Sequence, residues 1–326
     1  MTIADLLREA TSRLAGRPSC TDDPPSPRLD AEVLLAHVLD ADRTWLLAHD
    51  REPVSPFAER DFQKLVGRRM KHEPVAYLVG HKAFMGLDIK TDRYVLIPRP
   101  ETELLVEAAL DWIREGDLSR SFFWDVGTGS GAIAAALATA CPESSGLATD
   151  ASATALHVAE GNFERLRLAH RIHALKADLL DPAAYRVLQD AACQADRLVV
   201  AANLPYLPEA DRAAMMPDVV DFEPKRALFA RENGFATIRR FIGQLHRHLG
   251  EWGFDDAFLL FEYDPPQTQK IRALLERLGD LAGTHRVDIH HDLAGRDRFA
   301  TLELRGIAPQ TPRRQPPTTS RRMPTH

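Results

Sequence analysis

Asn203, Leu204, Pro205 and Tyr206 place an amide, a main-chain carbonyl, a fixed ring and an aromatic side chain in consecutive positions. The Asn203 side-chain oxygen and the Leu204 carbonyl are two acceptors side by side, able to take both hydrogens of an NH2 group. Pro205 fixes its own φ and narrows the choices of Leu204, so that carbonyl has little freedom to turn away. Tyr206 can cover a flat group. The chemistry such a set suits is the holding of a planar amide or amino nitrogen. Taken alone, the same four residues also make an ordinary strand-to-turn passage, so the elements around them decide the reading.

A second cluster lies upstream. Asp125 precedes a glycine-rich run, Gly127-Thr128-Gly129-Ser130-Gly131, and an Ala-rich helical stretch begins at Ala132. Glycines there allow a tight turn and close approach of the backbone to a ligand at a helix N-terminus. Asp150 closes the next apolar run, where a carboxylate can accept from both hydroxyls of a ribose. Asp178 closes the run after that, in a position to meet an adenine amino group. Gly127, Gly129 and Ala132 satisfy the dinucleotide fingerprint, and Asp125 to Gly131 equally satisfies the turn used for S-adenosylmethionine. Three features favour the methyl donor. Asp125 stands two residues before the first glycine, within reach of the donor's amino-acid end. Asp178 has an adenine role. A hydride-transfer enzyme has no evident use for the 203–206 set.

The third candidate is Leu96-Ile97-Pro98-Arg99-Pro100-Glu101-Thr102-Glu103. Its Pro-Arg-Pro segment must be extended, leading into an apolar helix from about Leu104. Such a strip can line a substrate mouth with Arg99 or Glu101, or it can be a linker with a helix start. Glu223 is a candidate for orienting Tyr206 or the loop that carries Asn203. His290-His291-Asp292 carries no metal expectation, because neighbouring strand residues point to opposite faces. No metal site is expected elsewhere.

These residues need a scaffold. Arg197 to Val200 reads as a buried strand that ends at Asn203. Strands are also expected at Phe122–Val126, Gly146–Thr149, Ile172–Ala177, Ala257–Glu262, Arg286–His290 and Arg298–Leu304, separated mostly by helical patterns. Alternating strands and helices that end in a hairpin predict an α/β fold, with a mostly parallel sheet containing one antiparallel strand. In such a sheet ligands bind outside the carboxyl ends of the strands, and Asn203, Gly127, Asp150 and Asp178 all follow strand ends. The division expected is an N-terminal helical domain at 1–75, a hairpin linker at 76–96, the sheet domain at 97–305 and a disordered, basic, proline-rich tail at 306–326. Tyr77-Leu78-Val79 and Phe84–Ile89 are expected to form the hairpin, Cys20–Arg28 a loop, and Glu209–Met216 a short helix.

With 326 residues, two domains are expected. A net charge of −6 argues against a general nucleic-acid binder. No apolar run is long enough to span a membrane, and the N-terminus lacks a signal peptide's apolar core. Cys20, Cys141 and Cys193 include no Cys-x-x-Cys pair, which predicts free thiols and a cytoplasmic location.

Taken together, the motifs resemble the HemK/PrmC family of release factor glutamine methyltransferases. The resemblance spans roughly residues 28–304 and rests on Arg68–Gly80, Leu96–Glu103, Asp125–Gly131, Asp150, Asn203–Tyr206, Phe222-Glu223-Pro224 and Asp292–Arg298. It implies a seven-stranded, Rossmann-like class I methyltransferase domain behind a small helical domain that helps dock the release factor. It implies methylation, with S-adenosyl-L-methionine, of the glutamine side-chain nitrogen in the Gly-Gly-Gln loop of peptide chain release factors. By this resemblance Gly127, Thr128, Gly129, Ser130, Gly131 and Asp150 bind the cofactor, Asp178 and Leu179 flank its adenine, Asn203 contacts the cofactor as well as the substrate, and Asn203, Leu204, Pro205 and Tyr206 hold the glutamine. No stable nucleic-acid binding is expected. Leu204 stands where the family usually has a second proline, and Asn-Leu-Pro-Tyr is also the form found in dimethyladenosine transferases of ribosomal RNA. An RNA adenine methyltransferase is therefore the alternative, and a catalytically weak partner module a further one.

Overall fold

The structure, a computed structural model, describes residues 1–16, 26–282 and 284–307. Cys20, most of the loop expected at 20–28, and residues 308–326 of the expected tail lie outside the described residues. The described residues divide into two compact units, one formed by those within 1–97 together with 209–228, the other by 98–208 together with those after 228.

The first unit is helical: α1 (Ile3–Ala15), α2 (Pro27–Leu39), α3 (Arg43–Ala48), α4 (Pro56–Arg69) and α5 (Val75–Val79). Side-chain caps start four of them. Thr2 and Asp5 make a reciprocal capping box on α1, while Ser26, Asp42 and Ser55 accept from N3 amides of α2, α3 and α4. Leu6, Leu34, Leu35, Leu46, Phe62 and Val66 form its core. The strand expected over Tyr77-Leu78-Val79 is instead α5. Pro74 precedes its first turn, Gly80 ends it in the left-handed region, and Leu78 and Val79 bury into the helical core. Packing thus overrides β-propensity here. The hairpin is shorter than expected, β1 (His81–Phe84) with β2 (Leu87–Lys90), turned by Met85 and Gly86, both at positive φ. Residues 209–228 supply α10 (Pro217–Val220) and α11 (Lys225–Leu228), and Glu209–Ala214, expected as a helix, is wound as 3-10. Arg69 fastens this segment to the helices, meeting Asp30 at 2.7 Å and Asp218 at 2.5 Å.

The second unit carries the seven-stranded sheet in the order β10 (Thr284–His291), β11 (Asp297–Arg305), β9 (Asp256–Glu262), β6 (Arg197–Ala202), β3 (Ser121–Val126), β4 (Ser145–Asp150), β5 (Ile172–Lys176). The strand β11 runs antiparallel to both its neighbours and the other pairings are parallel. Every residue of β3 and β6 is buried, as central strands covered on both faces must be. Helices α6 (Pro100–Arg114), α7 (Ala132–Ala140), α8 (Ala153–Arg165), α9 (Pro182–Ala191), α12 (Ala236–His248) and α13 (Thr268–Gly279) complete the layers. A two-residue parallel pair, β7 (Leu207–Pro208) with β8 (Phe229–Ala230), follows the sheet's central strand tip. Among the described residues no helix is long and apolar enough to cross a membrane.

The helix α6 governs the site. It begins at Pro100 rather than near Leu104, because proline suits the first helical position, and Arg99 before it is extended at φ −98°, ψ 144°. The guanidinium of Arg197, at the start of β6, donates to the Trp112 carbonyl at 2.8 Å and the Ile113 carbonyl at 3.0 Å. One end of α6 is thereby tied to one end of β6. Eleven helical steps and six strand steps then cover similar lengths, about 17 and 20 Å, which brings Thr102 level with Asn203.

Candidate active site at the strand tips

The glycine turn is built by hydrogen bonds that local sequence supplies. Thr149 accepts through its carbonyl from both the Gly127 and Thr128 amides at 2.8 Å. Asp125 is fully buried, and its Oδ2 accepts from the Thr128 hydroxyl at 2.6 Å and from the Ala134 amide at 3.1 Å. Asp150 Oδ2 accepts from Gly129 N–H at 3.0 Å and its Oδ1 from Ser152 N–H at 2.7 Å. Asn162, wholly buried on α8, donates to the Ser130 carbonyl at 2.8 Å. Gly127, Gly129 and Gly131 all have φ between 55° and 81°, a region that side chains with a Cβ avoid.

Two observations show that this turn fits S-adenosylmethionine. Among the described residues Asp125 Oδ1 is buried without a partner, which leaves an acceptor, anionic when the carboxyl is ionised, for a cation at the turn. Gly129 has only one heavy atom within 4 Å of where a Cβ would stand, 3.9 Å away, so the backbone is open to a ligand. Burial pushes the Asp125 carboxyl up to about 7, with the nearby Asp150 charge adding to the rise, against the hydrogen bonds from Thr128 and Ala134.

Asp178 and Leu179 follow β5. Leu179 is buried with φ 59°. The exposed Asp178 carboxylate meets the Arg240 guanidinium of α12 in an ion pair, so a base arriving there would contend with Arg240 for its oxygens.

The tetrapeptide is built differently, by side chains from distant parts of the second unit. Asn203 Nδ2 donates to Thr102 Oγ1 at 3.0 Å, and the Thr102 hydroxyl donates to Glu262 Oε2 at 2.7 Å. The Tyr206 hydroxyl donates to the other oxygen, Glu262 Oε1, at 3.0 Å. Gln267 Nε2 donates to the Tyr206 carbonyl at 2.8 Å and to the Asn233 carbonyl at 3.2 Å. A Cβ on Gly234 would stand 1.9 Å from that Tyr206 carbonyl oxygen, so only glycine leaves room for it. Glu262 is 2 % exposed. Burial raises its carboxyl above the ordinary range, while Thr102, Tyr206 and Arg298 oppose the rise and Glu101 adds to it. The Tyr206 phenol is pushed well above its ordinary value by burial and then by Glu262.

The structure brings Arg99 and Glu101 to this group: Arg99 exerts its charge on Tyr206, and Glu101 on Glu262. Glu223 is found within the first unit, buried and accepting from the Ile97 amide at 3.2 Å; the acid that orients Tyr206 is Glu262. Leu204 is 3 % exposed and belongs to the main core. Its Cδ2 lies 3.0 Å from where a Cβ on Gly127 would stand, and the Asn203 carbonyl oxygen 3.9 Å away. The glycine turn and the tetrapeptide therefore abut.

Sequence reasoning missed Thr102, Glu262, Gln267, Gly234 and Asn162 as site-builders. The strand-end rule that singled out Asn203 applies equally to Glu262, the last residue of β9. No comparable signal marks Gln267 or Asn162, which reach the site through main-chain carbonyls far away in sequence.

Comparison with known proteins yields two family models, the PrmC N-terminal domain over residues 5–80 and a methyltransferase domain over residues 123–222. A release factor glutamine methyltransferase of Bordetella pertussis is 39% identical over 278 residues, covering 85% of this chain and 95% of that one. The Deinococcus radiodurans protein of the same name is 34% identical over 306 residues, 94% of this chain and all of its own. Among solved structures, the hMettl16 catalytic domain in complex with a MAT2A 3'UTR hairpin superposes with a TM-score of 0.52 at 15% identity, over 91% of this chain and 96% of that one. That likeness shows the methyltransferase fold alone.

Proposed function

The chain belongs to the release factor glutamine methyltransferases, enzymes that use S-adenosylmethionine, and we propose that the abutting turn and tetrapeptide divide their work between donor and glutamine. The observation that carries this is the juxtaposition itself: Gly127 lies against Leu204 and the Asn203 carbonyl at the tip of adjacent strands. Gly127 to Gly131 hold the donor, with Gly129 the open point of the turn; Asp125 faces its cationic amino-acid end and Asp150 its ribose. Asp178 and Leu179 flank the adenine once Arg240 yields. When bound, S-adenosylmethionine supplies a methyl group on a sulfonium, already a good leaving group.

The chain's residues supply alignment. An amide nitrogen is a weak nucleophile because its lone pair is delocalised. Asn203 Oδ1 and the Leu204 carbonyl accept its two N–H bonds, fix its plane and stabilise positive charge growing on nitrogen; one of the two N–H protons is lost to solvent once the methyl has left the sulfonium. Tyr206 covers the amide face. Holding the reacting atoms in line can supply up to about 7–11 kcal/mol of the barrier. Arg99 and Glu101 line the entrance, and the helical unit recognises the body of the release factor. The target is the glutamine of the Gly-Gly-Gln loop, and the net charge of −6 supports a protein rather than an RNA substrate, in the cytoplasm.

The test is transfer of labelled methyl from S-adenosylmethionine to a purified release factor, beside a loop variant with that glutamine replaced by alanine and beside bare ribosomal RNA. Label on the intact factor alone is expected. Label on the RNA, or persisting on the glutamine-free factor, sinks the reading.

A further inference from the structure

The side-chain oxygen and nitrogen of an asparagine amide have nearly the same shape, so packing does not decide which of them faces a ligand. At position 203 the difference is decisive. Oxygen toward the substrate accepts an N–H; nitrogen toward the substrate opposes one donor with another. The hydrogen bonds behind Asn203 settle the choice. The Glu262 carboxylate only accepts, and it stands 2.7 Å from Thr102 Oγ1 and 3.0 Å from the Tyr206 hydroxyl. A hydroxyl has one hydrogen. The Thr102 hydrogen is committed to Glu262, so Thr102 Oγ1 can only accept from Asn203, which lies 3.0 Å away. Asn203 must then turn its NH2 inward and its oxygen outward. Both groups behind it are fixed: Thr102 is 4 % and Glu262 2 % exposed, and Thr102 sits in the first turn of a helix tied down at its far end.

We propose that Glu262, acting through the Thr102 hydroxyl, sets the orientation of the Asn203 amide, and is thereby a positioning residue for methyl transfer that never touches the substrate. The same carboxylate holds the Tyr206 hydroxyl, so one buried charge orients both the acceptor and the aromatic cover. This rests on the reading of Asn203 as the glutamine's acceptor. The charged groups around Glu262 are Glu101 from α6 and Arg298 from β11, with Arg99 facing Tyr206. Protonation of Glu262 lets it donate to Thr102, which frees the Thr102 hydrogen to turn toward Asn203 and inverts the relay. Turnover is therefore expected to fall at low pH, along a limb above the ordinary carboxylate range.

The test uses the full chain with a purified release factor and compares Glu262→Gln, Thr102→Val, Thr102→Ser and Asn203→Ala for kcat, S-adenosylmethionine affinity and melting temperature. In Glu262→Gln the new NH2 can donate to Thr102 and reverse the chain. The expected result is a fall in kcat of about 10- to 100-fold, the scale of one mismatched hydrogen bond, with donor affinity unchanged and the acid limb lost. Thr102→Val is expected to match it, Thr102→Ser to stay within a few-fold of the native enzyme, and the Glu262→Gln/Thr102→Val pair to be no worse than either alone. If Thr102→Val retains native kcat while Asn203→Ala loses it, the relay is wrong and the Asn203 assignment stands. If Asn203→Ala retains native kcat, the assignment itself fails and takes the relay with it. A Glu262→Gln protein that melts early leaves Thr102→Val, which is isosteric, to decide.

Discussion

The glycine turn and the tetrapeptide stand side by side and are built on opposite plans. The turn is held mainly by its neighbours in sequence: Asp125, Thr128, Ala134, Thr149 and Asp150 lie within a 26-residue stretch that also contains the glycines, and Asn162 adds one longer contact to Ser130. The tetrapeptide is held by residues 101, 56 and 61 positions away, in Thr102, Glu262 and Gln267. A local cradle depends on backbone conformation, which each glycine carries within itself. A long-range brace depends on α6, β9 and α13 all being in place. Donor binding should therefore respond to changes in the turn, and catalytic alignment to changes far from Asn203.

The sharpest way to separate the two regions is Asn203→Ala. Loss of one acceptor that stabilises developing charge is expected to lower kcat by about 10²–10³, with S-adenosylmethionine affinity, read by calorimetry, nearly unchanged. Equal losses in both would break the division. Next is Gly234→Ala, remote in sequence from either cluster. Its Cβ would fall 1.9 Å from the Tyr206 carbonyl, and a shift of the tetrapeptide by about 1 Å is expected to cost roughly 10²-fold in kcat, again without weakening donor binding. A Gly234→Ala enzyme with native turnover would show that the brace is dispensable.

The converse change is Asp150→Ala, expected to weaken S-adenosylmethionine by about 10- to 100-fold while kcat at saturating donor holds within a few-fold. Unchanged affinity would remove the ribose assignment. The smallest effect expected is a pH dependence. The folded Asp125 carboxyl is raised to about 7 by burial, so it is largely neutral below that value and ionised above it. A cationic donor favours the ionised form, and its affinity should fall a few-fold as the pH drops from about 8 to about 6. Because the folded value exceeds that of the unfolded chain, the ligand-free protein should lose stability as the pH rises from about 4 to about 7. Asp125→Asn should flatten both profiles, and profiles of native slope in that variant would assign the titration elsewhere.

How legible each part was follows from the same contrast. The seven strands, their mostly parallel arrangement and the turn at Gly127 follow from short-range patterns: apolar runs of strand length, glycines before an Ala-rich helix, and acids at strand ends. The failure at Tyr77-Leu78-Val79 has a physical cause. Three β-formers sit between Pro74 and Gly80, which start and stop a helix, and the helical core offers burial that their propensity does not outweigh. Leu204 stands where the family usually has a second proline. In the structure its side chain fills space against Gly127, which no local rule anticipates.

Short-range patterns are enough to place Asn203 after a buried strand, to make Gly127 to Gly131 a tight turn into a helix, and to put acids at the ends of the strands between them. Each of those is decided by residue type and near neighbours. Long-range packing sets the rest: the extended Arg99 hands over to a helix that brings Thr102 to Asn203, Glu262 rather than Glu223 holds Tyr206, and Asp178 meets Arg240. Those pairings span tens to more than a hundred residues. The Thr102–Asn203 pairing exists because a helix and a strand of matching length, joined at one end by Arg197, also meet at the other.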